Sequence, residues 1–234
     1  MNILHRNYLT TITVILLLTY FLLSSCNSSP REFPEGNIDV DSEIYIVPVG
    51  DVNEKYLYAL IPKLEKRFTT KAHLALDKRL PDPDHAYDSR AKQHVAMYVL
   101  RDLVELDVPD NVKVLGVANV DLFVPESDRS FVFGQAQFGR NSKAALISML
   151  RMNPSSYVRG KPDDELLVRR MTIEAIHELG HVFGLSNCGE PECVMYLPKN
   201  LKELDKKSDS FCLRCQKASR VFNQPGTPGA ESGS

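Results

Sequence analysis

The sequence predicts an α/β or α+β domain built around a mixed β-sheet. A β-branched run at 43–49 is typical of a buried strand, and apolar residues recur at helical spacing over 56–68. A long apolar helix is predicted at 164–185, with further strands and a second helix between these segments. Elements that alternate in this way fold with helices packed on a sheet, and three main helices are expected.

The first half of the domain alternates strands and helices. The helix at 56–68 is predicted from the four-residue spacing of its apolar residues, Tyr56, Leu60, Leu64 and Phe68. A short strand at 73–76 follows, and then a proline-rich loop at 81–84. A second helix is predicted at 89–106 from its apolar positions, Val95, Leu100, Leu103 and Leu106.

The second half adds strands and the last helix. Strands are predicted at three segments, 112–117, 131–138 and 144–152. The segment 120–124 either extends the first of these strands or begins another. Apolar residues occupy most sides of the helix at 164–185, so this helix is expected in the core. Asp163 and Asp164 at its start suit the positive end of the helix dipole.

Residues 1–25 have the composition of a secretory signal peptide. His5 and Arg6 form a short basic start, an apolar run follows, and small residues lead to Cys26. The tetrapeptide Leu-Ser-Ser-Cys resembles the lipobox of bacterial lipoproteins, which implies a lipid on Cys26 and a membrane anchor. The alternative is an uncleaved N-terminal anchor, and either way the domain is expected outside the cytoplasm. Asn27, where an aspartate would imply inner-membrane retention, favours the outer membrane of a bacterial cell envelope, facing the periplasm or the exterior.

Composition sets the remaining boundaries. A polar tether is expected at 26–42, the globular domain at 43–220 and a glycine- and proline-containing tail at 221–234. The formal net charge of −2 at pH 7 implies no strong field for nucleic acid, so no nucleic-acid partner is expected. The sequence leaves the oligomeric state open.

The stretch from His177 to Cys188 carries the clearest functional signal. His177 and His181 stand four residues apart, so on a helix they share a face and can reach one metal ion. Glu178 follows the first histidine, where a carboxylate can contact water at the metal. Gly184 allows the helix to end in a left-handed turn. The alternative is two exposed histidines beside a surface glutamate.

With its cysteines and Met195, this region resembles the metzincin metalloproteases, and among them the archaemetzincins. That family's pattern has a cysteine, four residues, a second cysteine, one residue and a methionine, and the chain has Cys188, Cys193 and Met195 in that spacing. The resemblance implies a metzincin-like twisted sheet. It also implies that the active-site helix precedes a cysteine-rich, zinc-stabilised C-terminal subdomain.

The resemblance also implies an activity and its residues. His177 and His181 would bind a catalytic zinc, and Glu178 would be the general base for peptide hydrolysis by metal-polarised water. Met195 would form a turn beneath the metal. The substrate would be a peptide or protein, aligned along a strand that we expect at 131–138 from its order in the chain.

Asn187 departs from the family pattern, which has a third histidine ligand at this position. An amide oxygen is a weaker ligand for zinc than an imidazole nitrogen. Three outcomes remain open. Asn187 binds the zinc and supports reduced turnover, or water or Glu190 takes its place, or the domain is an inactive peptide-binding or structural zinc protein.

Four cysteines are predicted to hold a second, structural zinc: Cys188, Cys193, Cys212 and Cys215. Two short spacings separated by a connecting segment are typical of structural zinc sites. The alternative is two disulfides, which an exported protein can form and whose pairing the sequence does not determine. Spacing and family likeness together favour zinc.

The remaining histidines and several basic residues are expected to have no catalytic role. His73, His85 and His94 are predicted to be structural or surface residues, although His85 lies on a loop that could reach an incompletely liganded metal. Solvated charges are predicted at four positions, Arg169, Arg170, Lys206 and Lys207.

Overall fold

The structure is a computed structural model that describes residues 42–125, 127–139, 141–156 and 162–219. The predicted signal peptide, the lipidated Cys26 and the C-terminal tail lie outside these residues. In chain order the elements are β1 (Glu43–Val49), α1 (Glu54–Phe68), β2 (Ala72–Leu74), β3 (Tyr87–Asp88), β4 (Gln93–Val95), α2 (Ala96–Val104), β5 (Val112–Ala118), β6 (Leu122–Phe123), β7 (Gly134–Ala136), β8 (Ala144–Ser148), α3 (Asp164–Val182), α4 (Leu201–Leu204) and α5 (Leu213–Ala218).

A five-stranded mixed sheet forms the centre of the fold, with the strand order β2-β1-β5-β8-β7. The first four strands in this order are parallel, and β7 pairs antiparallel with β8 at the edge. A smaller sheet has the order β3-β4-β6. The predicted mixed sheet with three main helices is confirmed, and β7 leaves a free edge.

The strands bury side chains on both faces, and helices cover both. In β8, Ala145 and Ile147 belong to the same apolar cluster as residues of α1 and α3, while Ala144 and Leu146 belong to the cluster that contains α2. Successive strand residues point to opposite faces. The sheet therefore lies between α1 and α3 on one side and α2 on the other.

Local sequence explains where α3 begins and ends. Asp163 caps the helix, since its side chain accepts a hydrogen bond from the Leu166 N–H at 2.9 Å. At the other end Gly184 adopts φ +89°, which favours glycine, and the Leu185 N–H bonds to Gly180 O at 2.8 Å. The helix therefore ends at Val182, shortly before the predicted limit of 185.

Three predicted elements were partly wrong. The strand predicted at 144–152 ends at Ser148, because Leu150–Met152 forms a 3-10 helix. The helix predicted at 89–106 begins only at Ala96, because residues 93–95 pair as β4 with β3 and β6. The strand predicted at 131–138 is regular only over Gly134–Ala136, because Val132 bonds instead to Leu122 of the smaller sheet. The segment 120–124 begins another strand, β6, rather than extending β5.

Candidate metal centre

His177 and His181 lie on consecutive turns of α3, with their Nε2 atoms 3.2 Å apart. Two nitrogens bound to one tetrahedral zinc at its usual bond length would be about 3.3 Å apart. The Nδ1 of His177 donates to Val194 O at 2.8 Å, and the Nδ1 of His181 donates to Leu185 O at 2.7 Å. Because each Nδ1 carries the proton, both Nε2 atoms are left as acceptors for a metal. The pair fits one zinc ion.

The surroundings hold both rings neutral. Burial lowers the pKa of His177 well below its usual value, and the positive charge of Lys207 lowers it further. Burial also lowers the pKa of His181. Metal binds the neutral imidazole, so these shifts reduce proton competition at the site.

Glu178 lies directly beneath the edge strand. Its side chain is buried, and a Cβ on Gly134 of β7 would lie 2.8 Å from the Glu178 Cγ and 2.9 Å from Oε1. Only glycine therefore lets β7 approach this carboxyl group so closely. Burial raises the Glu178 pKa well above its usual value, and the charge of Glu174 raises it further. A carboxylate with a raised pKa is a suitable proton acceptor near neutral pH.

A buried group of charges behind the histidines was not predicted. Lys207, predicted to be solvated, is fully buried, and its Nζ lies 3.4 Å from the Nδ1 of His177. Burial lowers the Lys207 pKa, while the charges of Glu174 and Glu178 act to raise it. Glu174 could have been recognised from its position one turn before Glu178 on the same face of α3. No local pattern marks Lys207, because its neighbours come from a distant part of the chain.

Among the other basic residues predicted to be solvated, Lys206 and Arg169 are exposed as predicted, whereas Arg170 is buried. Arg170 is only 7% exposed, and it donates two hydrogen bonds of 2.7 Å to the Asp205 carboxylate and one of 2.9 Å to Met152 O. Arg169 is exposed, yet it donates to the backbone oxygens of Asp205 and Lys207 at 2.9 and 3.0 Å. These arginines anchor α3 to the segment after α4.

Met195 packs against α3 between the two histidines. It is fully buried, and a Cβ on Gly180 would lie 2.4 Å from its sulfur. Gly180 immediately precedes His181. Because Gly180 has no side chain, the Met195 side chain can pack directly against the helix at this point. The turn around Met195 also supplies Val194 O, which fixes the ring of His177.

Asn187 lies beside the histidine pair, where the third ligand was predicted. Its side chain is exposed, and its polar interaction with His181 acts to raise the pKa of that histidine. Because Leu185 O already engages the Nδ1 of His181, we infer that this amide lies on the metal-facing Nε2 side. Among the described residues, no histidine, cysteine, aspartate or glutamate completes a group of three with His177 and His181. In the described structure Glu190 therefore does not lie at ligand distance from both histidines.

The three other histidines among the described residues have other partners or positions. The Nε2 of His85 lies 3.0 Å from an Asp102 oxygen, so the structure does not bring this residue to the metal centre. The Nε2 of His73 lies 3.4 Å from a Glu43 oxygen. His94, predicted on a helix, belongs to β4 and packs against the Tyr87 ring.

The four cysteines converge on one point. Their sulfur atoms all lie within 4.8 Å of one another, with Cys188 and Cys212 at 3.7 Å and Cys193 and Cys215 at 3.8 Å. Thiolates around one tetrahedral zinc would be about 3.8 Å apart. The chemistry and spacing of this group fit a structural zinc ion.

Hydrogen bonds favour the thiolate of Cys188, whereas burial disfavours the thiolate of Cys215. The backbone N–H of Glu190 and the Arg214 side chain donate to the Cys188 sulfur at 3.5 and 3.1 Å. Burial alone would raise the Cys188 pKa, but these donors bring it down to about 7. Burial, followed by the charge of Cys193, raises the pKa of Cys215. A bound metal would offset that cost, since it favours the deprotonated thiol.

A buried glutamate beside two metal-fitting histidines, on a helix that runs beneath an edge strand, is the arrangement expected of a zinc metallopeptidase. Comparison with known families identifies which kind. The model of peptidase family M54 matches residues 47–220, and the chain belongs to this family.

Relatives and solved structures agree with this assignment. The chain is 37% identical over 176 residues to an archaemetzincin of Pyrococcus abyssi, a match that covers 74% of this chain and 91% of the relative. Its fold is similar to the crystal structure of archaemetzincin from Methanopyrus kandleri, with a TM-score of 0.64, 31% identity and coverage of 76% and 93% of the two chains. It is also similar to a zinc-dependent peptidase from Methanocorpusculum labreanum, with a TM-score of 0.65, 27% identity and coverage of 77% and 100%.

Proposed function

We propose that His177 and His181 hold the catalytic zinc, that Glu178 is the general base, and that Asn187 is a weak third ligand. The observation that carries this assignment is the 3.2 Å approach of the two Nε2 atoms, with both Nδ1 protons engaged by backbone carbonyls. Zinc would polarise the attacking water and the peptide carbonyl. Glu178 would take the proton of that water and deliver it to the leaving amine.

The weak ligand at position 187 is proposed to reduce zinc affinity and turnover. An amide oxygen donates less strongly to zinc than imidazole, and even changes outside the ligand set cost about 10–100-fold in metal affinity. The influence of Asn187 on the pKa of His181 supports this role for the amide. The site therefore has two strong ligands from α3 and a weaker one from the following loop.

Zinc content and turnover of Asn187→His test this proposal. We expect zinc affinity at the catalytic site to rise by about 10–100-fold, with a parallel rise in kcat/KM. Glu192→His, which adds a histidine at an exposed position of the same loop, should change neither. Unchanged affinity and turnover in Asn187→His would show that position 187 is not a ligand position.

Glu178→Gln separates catalysis from metal binding. We expect this variant to keep its zinc and to lose turnover by about 100-fold or more, since general-base catalysis contributes 10²–10⁴-fold. Retained turnover would exclude Glu178 as the base. A wild-type chain that binds zinc and peptides without cleaving them would favour an inactive peptide-binding domain, and the departure at Asn187 is the observation behind that alternative.

We propose a second zinc at the cysteine cluster, giving two ions per chain. The sulfur separations of 3.7 and 3.8 Å support this count. Metal analysis should find two zinc ions in the wild type and one in Cys215→Ser, and four thiols should become reactive after chelation. A zinc-free cluster in which all four cysteines are oxidised would contradict the proposal.

We propose that β7 aligns the substrate through its free edge. Phe133 O and the Gln137 N–H bond to β8 at 2.8 and 3.0 Å, so by alternation the backbone groups of Gly134 and Ala136 point away from the sheet. An extended peptide can add to these groups as a further strand. Because Gly134 also contacts Glu178, such a peptide would run beside the general base.

We also propose that the chain is exported and lipidated at Cys26, which would anchor it in the bacterial cell envelope at the outer membrane. The apolar run and the Leu-Ser-Ser-Cys sequence support this proposal. In the described part of the chain, no helix is both long and apolar enough to cross a membrane. Fractionation should find the full chain with membranes, and Cys26→Ser should lose lipid labelling. Equal labelling of both proteins would refute lipidation at Cys26.

A further inference from the structure

An exposed aromatic ring stands beside the metal centre. Phe138 is 60% exposed, and its ring centroid lies 6.1 Å from that of His181 with the planes at 74°. An edge-to-face arrangement at this distance is favourable for two rings. The contact holds the phenyl group next to a proposed zinc ligand while most of its surface faces solvent.

The strand geometry places this ring in line with the catalytic residues. Side chains of alternate residues point to one face of a strand, so Gly134 and Ala136 share a face of β7. Phe138 lies two residues beyond β7, and its contact with His181 puts its ring on the same side of the sheet. On that face Gly134 abuts Glu178, and Ala136 packs against the apolar cluster that contains α3. Phe138 then meets His181, almost one helical turn beyond Glu178.

We propose that Phe138 is a specificity-determining residue, whose ring forms the apolar wall of the subsite for the substrate side chain next to the scissile bond. This inference rests on the proposed function, because it needs a peptide extended along the free edge of β7. In such a peptide, the residue beside Phe138 that points its side chain toward α3 contacts the exposed face of the phenyl ring. We therefore expect the enzyme to prefer peptides with an aromatic or long aliphatic residue at that position.

The contact between the substrate side chain and the Phe138 ring sets the expected size of the substrate preference. A difference of one methylene in an apolar pocket gives about 10–200-fold discrimination. Phe138 forms one open wall, so we expect about a tenfold preference for leucine or phenylalanine over alanine at the selected position. Phe138→Ala should reduce this preference to near unity.

The chain contains no tryptophan, which allows a binding test that does not depend on turnover. Phe138→Trp places the protein's single tryptophan at the proposed wall, where it can be excited selectively over the tyrosines. Glu178→Gln in the same zinc-loaded full-length protein prevents cleavage. Two synthetic peptides that differ only by leucine or alanine at the selected position serve as probes. We expect a blue shift of the emission on binding, with about tenfold tighter binding of the leucine peptide.

Tyr98→Trp is the matched control, because Tyr98 is exposed on α2, which covers the opposite face of the sheet. Its emission should not respond to either peptide. The inference is overturned if no peptide shifts the emission of Phe138→Trp, if both variants respond alike, or if the leucine and alanine peptides bind equally.

A second test compares the cleavage of a peptide library by the wild type and by Phe138→Ala. Loss of the apolar preference at one position, with zinc content unchanged, supports the inference, and identical cleavage profiles overturn it. If the emission of Phe138→Trp responds as expected but the wild type cleaves nothing, the subsite stands and the proposed activity fails. The two failures are therefore distinguishable.

Discussion

Gly134→Ala should impair catalysis because it adds a methyl group between the edge strand and the proposed general base. The new Cβ would lie 2.7 Å from Leu146 O and 2.8 Å from the Glu178 Cγ. Van der Waals contact needs about 3.5 Å, so β7 or Glu178 must move by about 0.8 Å. A misplacement of about 1 Å at an active site can lower the rate by about 100-fold. We therefore expect kcat/KM to fall by about 10–100-fold.

The same clash should also reduce stability. Overpacking a core costs about 1–3 kcal/mol, and replacing glycine by alanine recovers about 0.4–1 kcal/mol from the unfolded state. The expected loss of about 1–2 kcal/mol corresponds to a Tm lower by about 2–8 °C.

Peptide hydrolysis, zinc content and thermal unfolding of Gly134→Ala test these expectations. Gly189→Ala is the control, since a Cβ at this position meets nothing within 4 Å and its backbone is not in the left-handed region. That variant should match the wild type in all three measurements. If Gly134→Ala also matches the wild type in kcat/KM and Tm, Glu178 is not confined by β7 and the reasoning is wrong.

Three further variants test other contacts of the site. Gly180→Ala should lower the Tm, because its Cβ would lie 2.4 Å from the sulfur of Met195, and the effect should disappear in a Met195→Ala background. Asp205→Ala should lower the free energy of unfolding by about 2–4 kcal/mol, because it leaves the buried Arg170 guanidinium without its carboxylate partner. A loss below about 0.5 kcal/mol would contradict this expectation. Glu178→Gln should raise the Tm at pH 8 more than at pH 5 when one equivalent of zinc per chain fills the cysteine cluster. The pKa of Glu178 is raised in the folded protein, so its ionised form destabilises the native state once the pH rises through that folded pKa. Glutamine carries no charge at either pH and removes this loss of stability. An equal change in Tm at both pH values would refute this reasoning.

The convergence of His177 and His181 was predictable from the sequence because the two residues are close together in the chain. The spacing of His177 and His181 fixes their common helix face, and the cysteine spacings predict a cluster without knowledge of the fold. Lys207 could not be predicted in this way, because its burial depends on how the segment after α4 packs beneath α3. The segment 93–95 was misread because its apolar Val95 continues the spacing of the helix that follows, while its pairing partners come from elsewhere in the chain.

The two proposed metal sites share one loop, and this makes them interdependent. Asn187 is bonded directly to Cys188, and the loop returns through Cys193 to Val194, whose carbonyl orients the ring of His177. No helix or strand holds these residues between α3 and α4, so the cysteine cluster and a few backbone hydrogen bonds fix their geometry. Since the proposed third ligand is a weak one, affinity at the catalytic site is expected to depend more on prior orientation of the two histidines. Loss of the structural zinc should therefore weaken the catalytic site even though none of its own ligands has changed.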